Sequence, residues 1–500
     1  MTDQTAQGGT APADGAAEQL AEQRQVESVD ELVVTRHTVR TADGAELAYT
    51  ATCGRLVVRR EAHGEDKKFE GHKPRAEIFF VSYTLDGAPA RERPVTFAFN
   101  GGPGSSSVWL HLGLLGPRLA RSGDVGALTP PPYDLVDNPH TLLATSDLVF
   151  IDPVSTGYSR PTTGEKLGEF LGFGGDLESV GEVIRLWTSR HGRWLSPKYL
   201  CGESYGTLRA AGLARHLQRK YGMNLNGLML VSTVLDTGLL RGNGHNDNPY
   251  VMYLPTYAAI ANYHGLHGDR PLREVLDEAE AYAARDYPWV LAQGSRLSAD
   301  ERAAAVSKLA ALTGLSEDYV DRVDLRIEHI RYFTELLRHR RLTVGRLDGR
   351  FTGWDVDYGQ ERWSADPSMD AIMGPYTAAM NHYVRADLGY SSDLPYEILS
   401  SDVNTSWSYK EFEGKNVSVA EDLAAAMRAN PYLRVHVGCG YYDGATPYFA
   451  AEHTMAHLRI PEALRGNIEF AYYPAGHMMY VHEPSRIAQS AHLAEFVTPA

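Results

Sequence analysis

The sequence predicts an α/β fold, with a mostly parallel central sheet flanked by helices and interrupted by an inserted helical cap. Three observations predict it. Short apolar runs alternate with helix-length amphipathic segments, the pattern of strands joined by crossover helices. Three of those runs end in glycine-containing loops that carry Ser204, Asp443 and His477. Between about 237 and 408 the alternation stops, and charged, Ala- and Leu-rich stretches of helical spacing take over.

Taken in order, residues 1–30 are rich in Ala, Gln, Glu and Gly, with no basic start and no apolar stretch. They read as a disordered tail and not as a signal peptide. Residues 31–236 form the first part of the core. Alternating apolar and polar residues over 32–85 predict an antiparallel edge. Strands follow at 94–99, 147–151, 198–201 and 227–231, with helices at 176–190 and 207–219. The insertion, 237–408, predicts helices at 271–284, 299–312 and 318–338. Its Tyr250, Tyr253, Tyr257, Trp354, Trp363 and Trp407 could line a pocket, though aromatic residues in such a segment more often pack its own core. Residues 409–500 complete the core with helices at 420–428 and 446–458 and strands at 433–437 and 468–473.

The formal net charge of -15 argues against nucleic acid or an anionic membrane surface as a partner. No apolar run approaches the ~20 residues of a membrane span. The three cysteines, Cys53, Cys201 and Cys439, are too far apart for a disulfide framework or a metal knuckle. A reduced, cytoplasmic protein is the simple reading. No spacing indicates a zinc or nucleotide cofactor, so none is expected. The expected partner is a peptide or small acyl substrate, and a homodimer is the oligomer to test.

Gly202-Glu203-Ser204-Tyr205-Gly206 lies between an apolar run and a helix-like stretch. Small residues at both ends allow a sharp strand-to-helix turn that lifts a serine Oγ clear of the backbone, which proposes Ser204 as a nucleophile. A nucleophile needs a base, an orienter and a place for negative charge. The run at 94–99 leads into Asn100-Gly101-Gly102-Pro103-Gly104-Ser105-Ser106-Ser107, whose unshielded amides could complete an oxyanion hole with the Tyr205 N–H. A tight turn or a phosphate cradle competes with this reading, but no Lys stands in Walker position. Asp443 and His477 each follow a strand on a loop. A solvated loop Asp and a surface or core His are the bland alternatives, and the order Ser204, Asp443, His477 is the one α/β-hydrolases use.

At these residues the chain resembles the serine carboxypeptidase family, and most closely its bacterial, disulfide-free branch. Trp109-Leu110-His111-Leu112, Leu114-Leu115-Gly116-Pro117, 147–158 and Gly345-Arg346-Leu347-Asp348 extend the resemblance from about Val33 to the end. It implies an α/β-hydrolase fold and the release of carboxy-terminal amino acids from peptides through a Ser204 acyl-enzyme. His477 would be the general base and then acid, Asp443 its orienter, and Gly102 and Tyr205 the oxyanion donors. Asn100, Gly101 and Glu203 would hold the substrate's free carboxylate.

Two carboxylates attract only if one carries a proton, so Glu203 should be protonated when a peptide terminus binds, which favours acidic pH. A merely structural buried acid is the alternative for Glu203. Leu114 stands where the family commonly has a second Glu bonded to the first, and Ser105 stands in place of a Cys. The missing Glu keeps an esterase or acyltransferase in view. A non-catalytic binding protein that has kept the fold is the remote alternative.

Overall fold

The computed structural model describes residues 28–242 and 244–498; the amino-terminal tail expected at 1–30 lies almost wholly outside them. The chain begins with three long antiparallel strands, β1 (Glu31–Arg40), β2 (Glu46–His63) and β3 (Phe69–Leu85). Six shorter strands follow: β4 (Val95–Phe99), β5 (Asp147–Ile151), β6 (Lys198–Ser204), β7 (Gly227–Thr233), β8 (Arg434–Gly440) and β9 (Ile468–Tyr473). Their spatial order is β1-β2-β3-β5-β4-β6-β7-β8-β9, and the two-residue strand Arg160–Pro161 pairs with β3. From β5 onward every neighbouring pair is parallel. This is the α/β-hydrolase arrangement, with an antiparallel edge grafted onto a parallel sheet.

Side-chain alternation along the strands divides the core in two. Val95, Phe97 and Phe99 of β4, Leu200 of β6 and Leu228 and Leu230 of β7 join one buried cluster. Ala98, Tyr199, Cys201, Met229 and Val231, from the same strands, join the other. Strands covered on both faces are apolar throughout, which is why they read as continuous runs. On the first face lie α1 (Phe173–Arg190) and α2 (Tyr205–Tyr221), contributing Val180, Ile184, Trp187, Leu208 and Leu213.

The insertion between β7 and β8 opens with α3 (Asn248–Tyr263), α4 (Leu272–Gln293), α5 (Ala299–Thr313), α6 (Glu317–Arg322) and α7 (His329–Glu335), which pack on the first cluster. Its later helix, α8 (Pro367–His382), contributes Ile372 and Tyr376 to the opposite cluster. After it come α9 (Ala420–Ala429), α10 (Tyr448–Ala456) and α11 (Glu483–Val497).

Two expectations are corrected. The helix expected at 318–338 is broken into α6 and α7, with Asp324 and Leu325 in left-handed backbone (φ 53° and 62°). Tertiary contacts hold that break. Leu325 and Ile327 are buried, the Tyr287 hydroxyl donates to the Leu325 carbonyl, and Arg326 forms a two-pronged pair with Asp247 at 2.8 Å. The helix expected from 446 starts at Tyr448, because Thr446 turns its N–H and hydroxyl toward Asp443 instead. Of the aromatic residues of the insertion, Tyr253 and Tyr257 are core residues, with Tyr257 stacked on Tyr332 at 4.0 Å, and Trp354 is 89% exposed.

The sheet order has one consequence for the site. The chain leaves β4 toward β5 on one side and leaves β6 toward β7 on the other, so the loops after β4 and β6 part over a crevice at the strands' carboxyl ends. Ligands of open α/β sheets bind at such a switch point.

Candidate active site

At this switch point the start of the loop after β4 packs against the turn after β6, before the two chain segments diverge. Ser204 has φ 59° and ψ −127°, a backbone that side chains other than glycine adopt only under strain. Strand β6 ends and α2 begins at that residue, giving the sharp turn expected from Gly202 and Gly206. Tyr205 is the first residue of α2, so its N–H belongs to the amides a helix leaves unpaired. The glycine loop lies directly against the turn. A Cβ on Gly101 would stand 2.5 Å from the Tyr205 nitrogen and 2.9 Å from that of Gly206, and one on Gly206 would stand 2.8 Å from the Phe99 carbonyl oxygen. Only glycine permits this approach. Gly102, at φ +100°, is exposed.

Two buried groups hold the loop in place, and neither carried a local signal in the sequence. Arg209 of α2 is fully buried, pairs with Asp176 of α1 at 2.8 Å and donates to the Asn100 carbonyl at 2.5 Å. Asp152, just after β5, accepts from the Ser107 N–H at 2.8 Å, the Ser107 hydroxyl at 2.7 Å and the Tyr396 hydroxyl at 2.8 Å. Burial pushes its carboxyl up to about 6 despite those donors.

Asp443, fully buried after β8, accepts from the N–H groups of Ala445 (2.8 Å) and Thr446 (2.9 Å) and from the Thr446 hydroxyl (2.8 Å). Its Oδ2 also lies 2.8 Å from His477 Nδ1. A carboxylate partner at Nδ1 places the neutral ring's proton there and leaves Nε2 as the acceptor. The His477 N–H donates to the Leu347 carbonyl at 2.6 Å, anchoring the histidine loop to the insertion. Burial opposes charge on His477, but Asp443, and less strongly Glu203, raise it above its ordinary value. No hydrogen bond joins Ser204 Oγ to His477 among the described residues; such contacts commonly tighten only when substrate is bound.

The description of serine carboxypeptidases as a family matches residues 70–468. The chain belongs to the serine carboxypeptidase family. The matched span holds the glycine loop, the Ser204 turn and Asp443, and ends before the loop of His477. Solved structures similar to this carboxypeptidase include an α/β-hydrolase fold protein from Chitinophaga pinensis, 10% identical, covering 89% of this chain and 98% of that one with a TM-score of 0.37. A putative epoxide hydrolase from Pseudomonas aeruginosa is 14% identical, covering 88% and 95% with a TM-score of 0.34.

In this carboxypeptidase, Glu203 is buried beside the site, and Tyr480 donates to its Oε2 at 2.6 Å. Burial pushes the Glu203 carboxyl up to about 7; the nearby His477 charge and the Tyr480 hydrogen bond pull it down less strongly, and Asp443 adds to the rise. Asn100 Oδ1 accepts from the Leu110 N–H at 3.0 Å, and its buried Nδ2, on the Glu203 side, finds no partner in hydrogen-bond geometry. Leu114, at the position where the family commonly has a second Glu, is fully buried and packs in the second core cluster.

Trp407 stands edge-on to the Tyr205 ring at 5.4 Å, beside the turn. Cys201 and Cys439 are buried, and burial raises both thiols well above their usual range, in keeping with packing roles. Among the described residues no cluster of three or more His, Cys, Asp or Glu could hold a metal ion, and no helix is long and apolar enough to cross a membrane.

Proposed function

We propose that this serine hydrolase releases carboxy-terminal amino acids from peptides through an acyl-enzyme on Ser204. The observation that carries the reading is the buried Asp443–His477 hydrogen bond, on a loop pair beside a left-handed serine at a strand-to-helix turn. His477 Nε2 takes the Ser204 hydroxyl proton as Oγ attacks the carbonyl of the last peptide bond. The oxygen of the tetrahedral intermediate accepts from the Gly102 and Tyr205 N–H groups. His477 then passes its proton to the leaving amine, which departs as a free amino acid. Water, deprotonated by the same imidazole, attacks the acyl carbon and frees Ser204. Asp443 holds the ring and stabilises its charged form.

Asn100, Gly101 and Glu203 are the groups we assign to the substrate's terminal carboxylate, with Glu203 in its protonated form. Leu114 favours a second reading, an esterase or acyltransferase using the same Ser204, Asp443 and His477 on a substrate without that carboxylate. The three free, buried cysteines support a reducing, cytoplasmic setting.

The test compares wild type with Ser204→Ala on blocked dipeptides, on the corresponding esters and with a serine-directed phosphonate. Release of the carboxy-terminal amino acid by wild type, lost in the variant by about 10⁴-fold or more, is the expected result. Phosphonate labelling with ester turnover and no peptide cleavage selects the second reading, and no labelling at all restores a non-catalytic protein.

A further inference from the structure

Glu203 meets no second carboxyl; a phenol occupies that place. Tyr480 is buried, and at 2.6 Å its hydroxyl sits at the short end of hydrogen bonds to a carboxyl oxygen. Its seat is made by the π-helical turn His111–Leu115. A Cβ on Gly113 would stand 2.4 Å from Tyr480 Cε2 and 2.6 Å from the Tyr376 hydroxyl, so the absence of a side chain there lets the Tyr480 ring reach Glu203.

The two ends of the Glu203 carboxyl are therefore unequal. Oε2 is engaged by Tyr480; no hydrogen bond of strict geometry reaches Oε1 among the described residues, although the Asn100 side chain lies near enough to pull the carboxyl weakly toward its ionised form. On the same side, the buried Asn100 Nδ2 has no partner. Leaving a buried donor unpaired is costly unless something completes it. We infer that Tyr480 is the positioning residue of a carboxylate site: by holding Oε2 it turns Oε1, with its proton, and Asn100 Nδ2 together toward one terminal carboxylate of the substrate. This rests on the peptidase reading and names the residue that sustains it without a second Glu.

A carboxylate fits because it offers two acceptor oxygens to two donors, the Oε1 hydroxyl and the Asn100 amide. A carboxamide offers one oxygen and sets an N–H₂ against the other donor. A phenol also differs from a second carboxyl in kind. Burial pushes the Tyr480 hydroxyl well above its ordinary value, so it stays a donor throughout the working range, and the one proton that titrates is left on Oε1. The ionisable groups facing Glu203 are His477 and Asp443 from their loops, Tyr480, Tyr376 of α8 and Cys201 of its own strand. Of these, His477 and Tyr480 favour the ionised glutamate, and Asp443 opposes it.

The test uses binding, in the Ser204→Ala background, of benzoyl-glycyl-phenylalanine, -leucine and -lysine and their carboxamides, by calorimetry from about pH 5 to about pH 9. The parent should prefer the acids at low pH and lose that preference as pH rises. Tyr480→Phe keeps the ring against Gly113 and removes only the donor. Its acid-over-amide preference should fall about tenfold at low pH, the loss of one ordinary hydrogen bond, and the pH at which preference disappears should move upward. Gly113→Ala, which displaces the ring and keeps the hydroxyl, should lower the same ratio. An unchanged ratio and midpoint in both variants overturns the role of Tyr480, as does a parent that binds no acid more tightly than its amide. Phosphonate labelling of wild-type Ser204 is independent of either outcome and reports separately on the acyl-enzyme chemistry.

Discussion

Gly101→Ala offers the sharpest perturbation of the crevice, because the three nearest atoms its new methyl group would meet are all backbone. The Cβ would lie 2.5 Å from the Tyr205 nitrogen, 2.8 Å from the Glu203 carbonyl oxygen and 2.9 Å from the Gly206 nitrogen. No rotamer change can relieve contacts of that kind, so the glycine loop must lift off the Ser204 turn by roughly 1 Å to restore ordinary packing. Displacements of ~1 Å at a reacting centre cost about 10²-fold in rate, and losing one oxyanion donor costs about 10²- to 10³-fold. The expected loss in kcat is therefore about 10²-fold, or about 2.7 kcal/mol of transition-state stabilisation. Overpacking should destabilise the fold by only about 1–3 kcal/mol. The assay pairs kcat on a chromogenic ester, which needs no terminal carboxylate, with a denaturant midpoint measured on the same preparation. A folded variant whose kcat stays within about threefold of wild type would refute the assignment of this loop to oxyanion binding.

Two further outcomes can be checked with simple assays. Because burial raises Glu203 to about 7, it is protonated below that pH and ionised above it; kcat/KM for free-acid peptides should fall as pH rises through this range, while esters show no such descending limb and Glu203→Gln abolishes it for peptides. Arg209→Met should destabilise by about 3–5 kcal/mol in urea unfolding, since it strands the buried Asp176 carboxylate, and adding Asp176→Leu should recover most of the loss; additive losses would remove the ion pair from the account of the loop.

The central strands were legible because they are buried on both faces, and the edge strand β9, only partly buried, because its apolar and aromatic run ends in a loop of special composition. The 147–151 and 468–473 runs match β5 and β9 to the residue, and the elbow was announced by Gly202 and Gly206 on either side of Ser204. What escaped depends on partners distant in the chain. Tyr480 meets Glu203 across 277 positions and Arg209 reaches the Asn100 carbonyl across 109, so no local pattern marks either. Leu114 was legible as a missing partner, but the replacement was hidden because a phenol on the histidine loop, and not an acid on the glycine-loop side, takes up the contact. The 318–338 helix failed for a related reason: helical spacing continues through Asp324 and Leu325, and the cost of bending is met by burying Leu325 and Ile327.

The sheet order also sets a timetable. Strands β6 and β7 are adjacent in sequence and space, yet β8, which completes the parallel ladder beside β7, follows only after some two hundred further residues. A ribosome making this chain has therefore released the Ser204 turn long before Asp443 and His477 exist. During that interval β7 lacks its β8 neighbour, and the serine lacks the Asp443–His477 pair proposed as its orienter and base. Contacts this remote in sequence are the slow ones to form. On the proposed triad, an enzyme able to cut peptides comes to activity only when its own carboxyl-terminal segment has been made and folded into place.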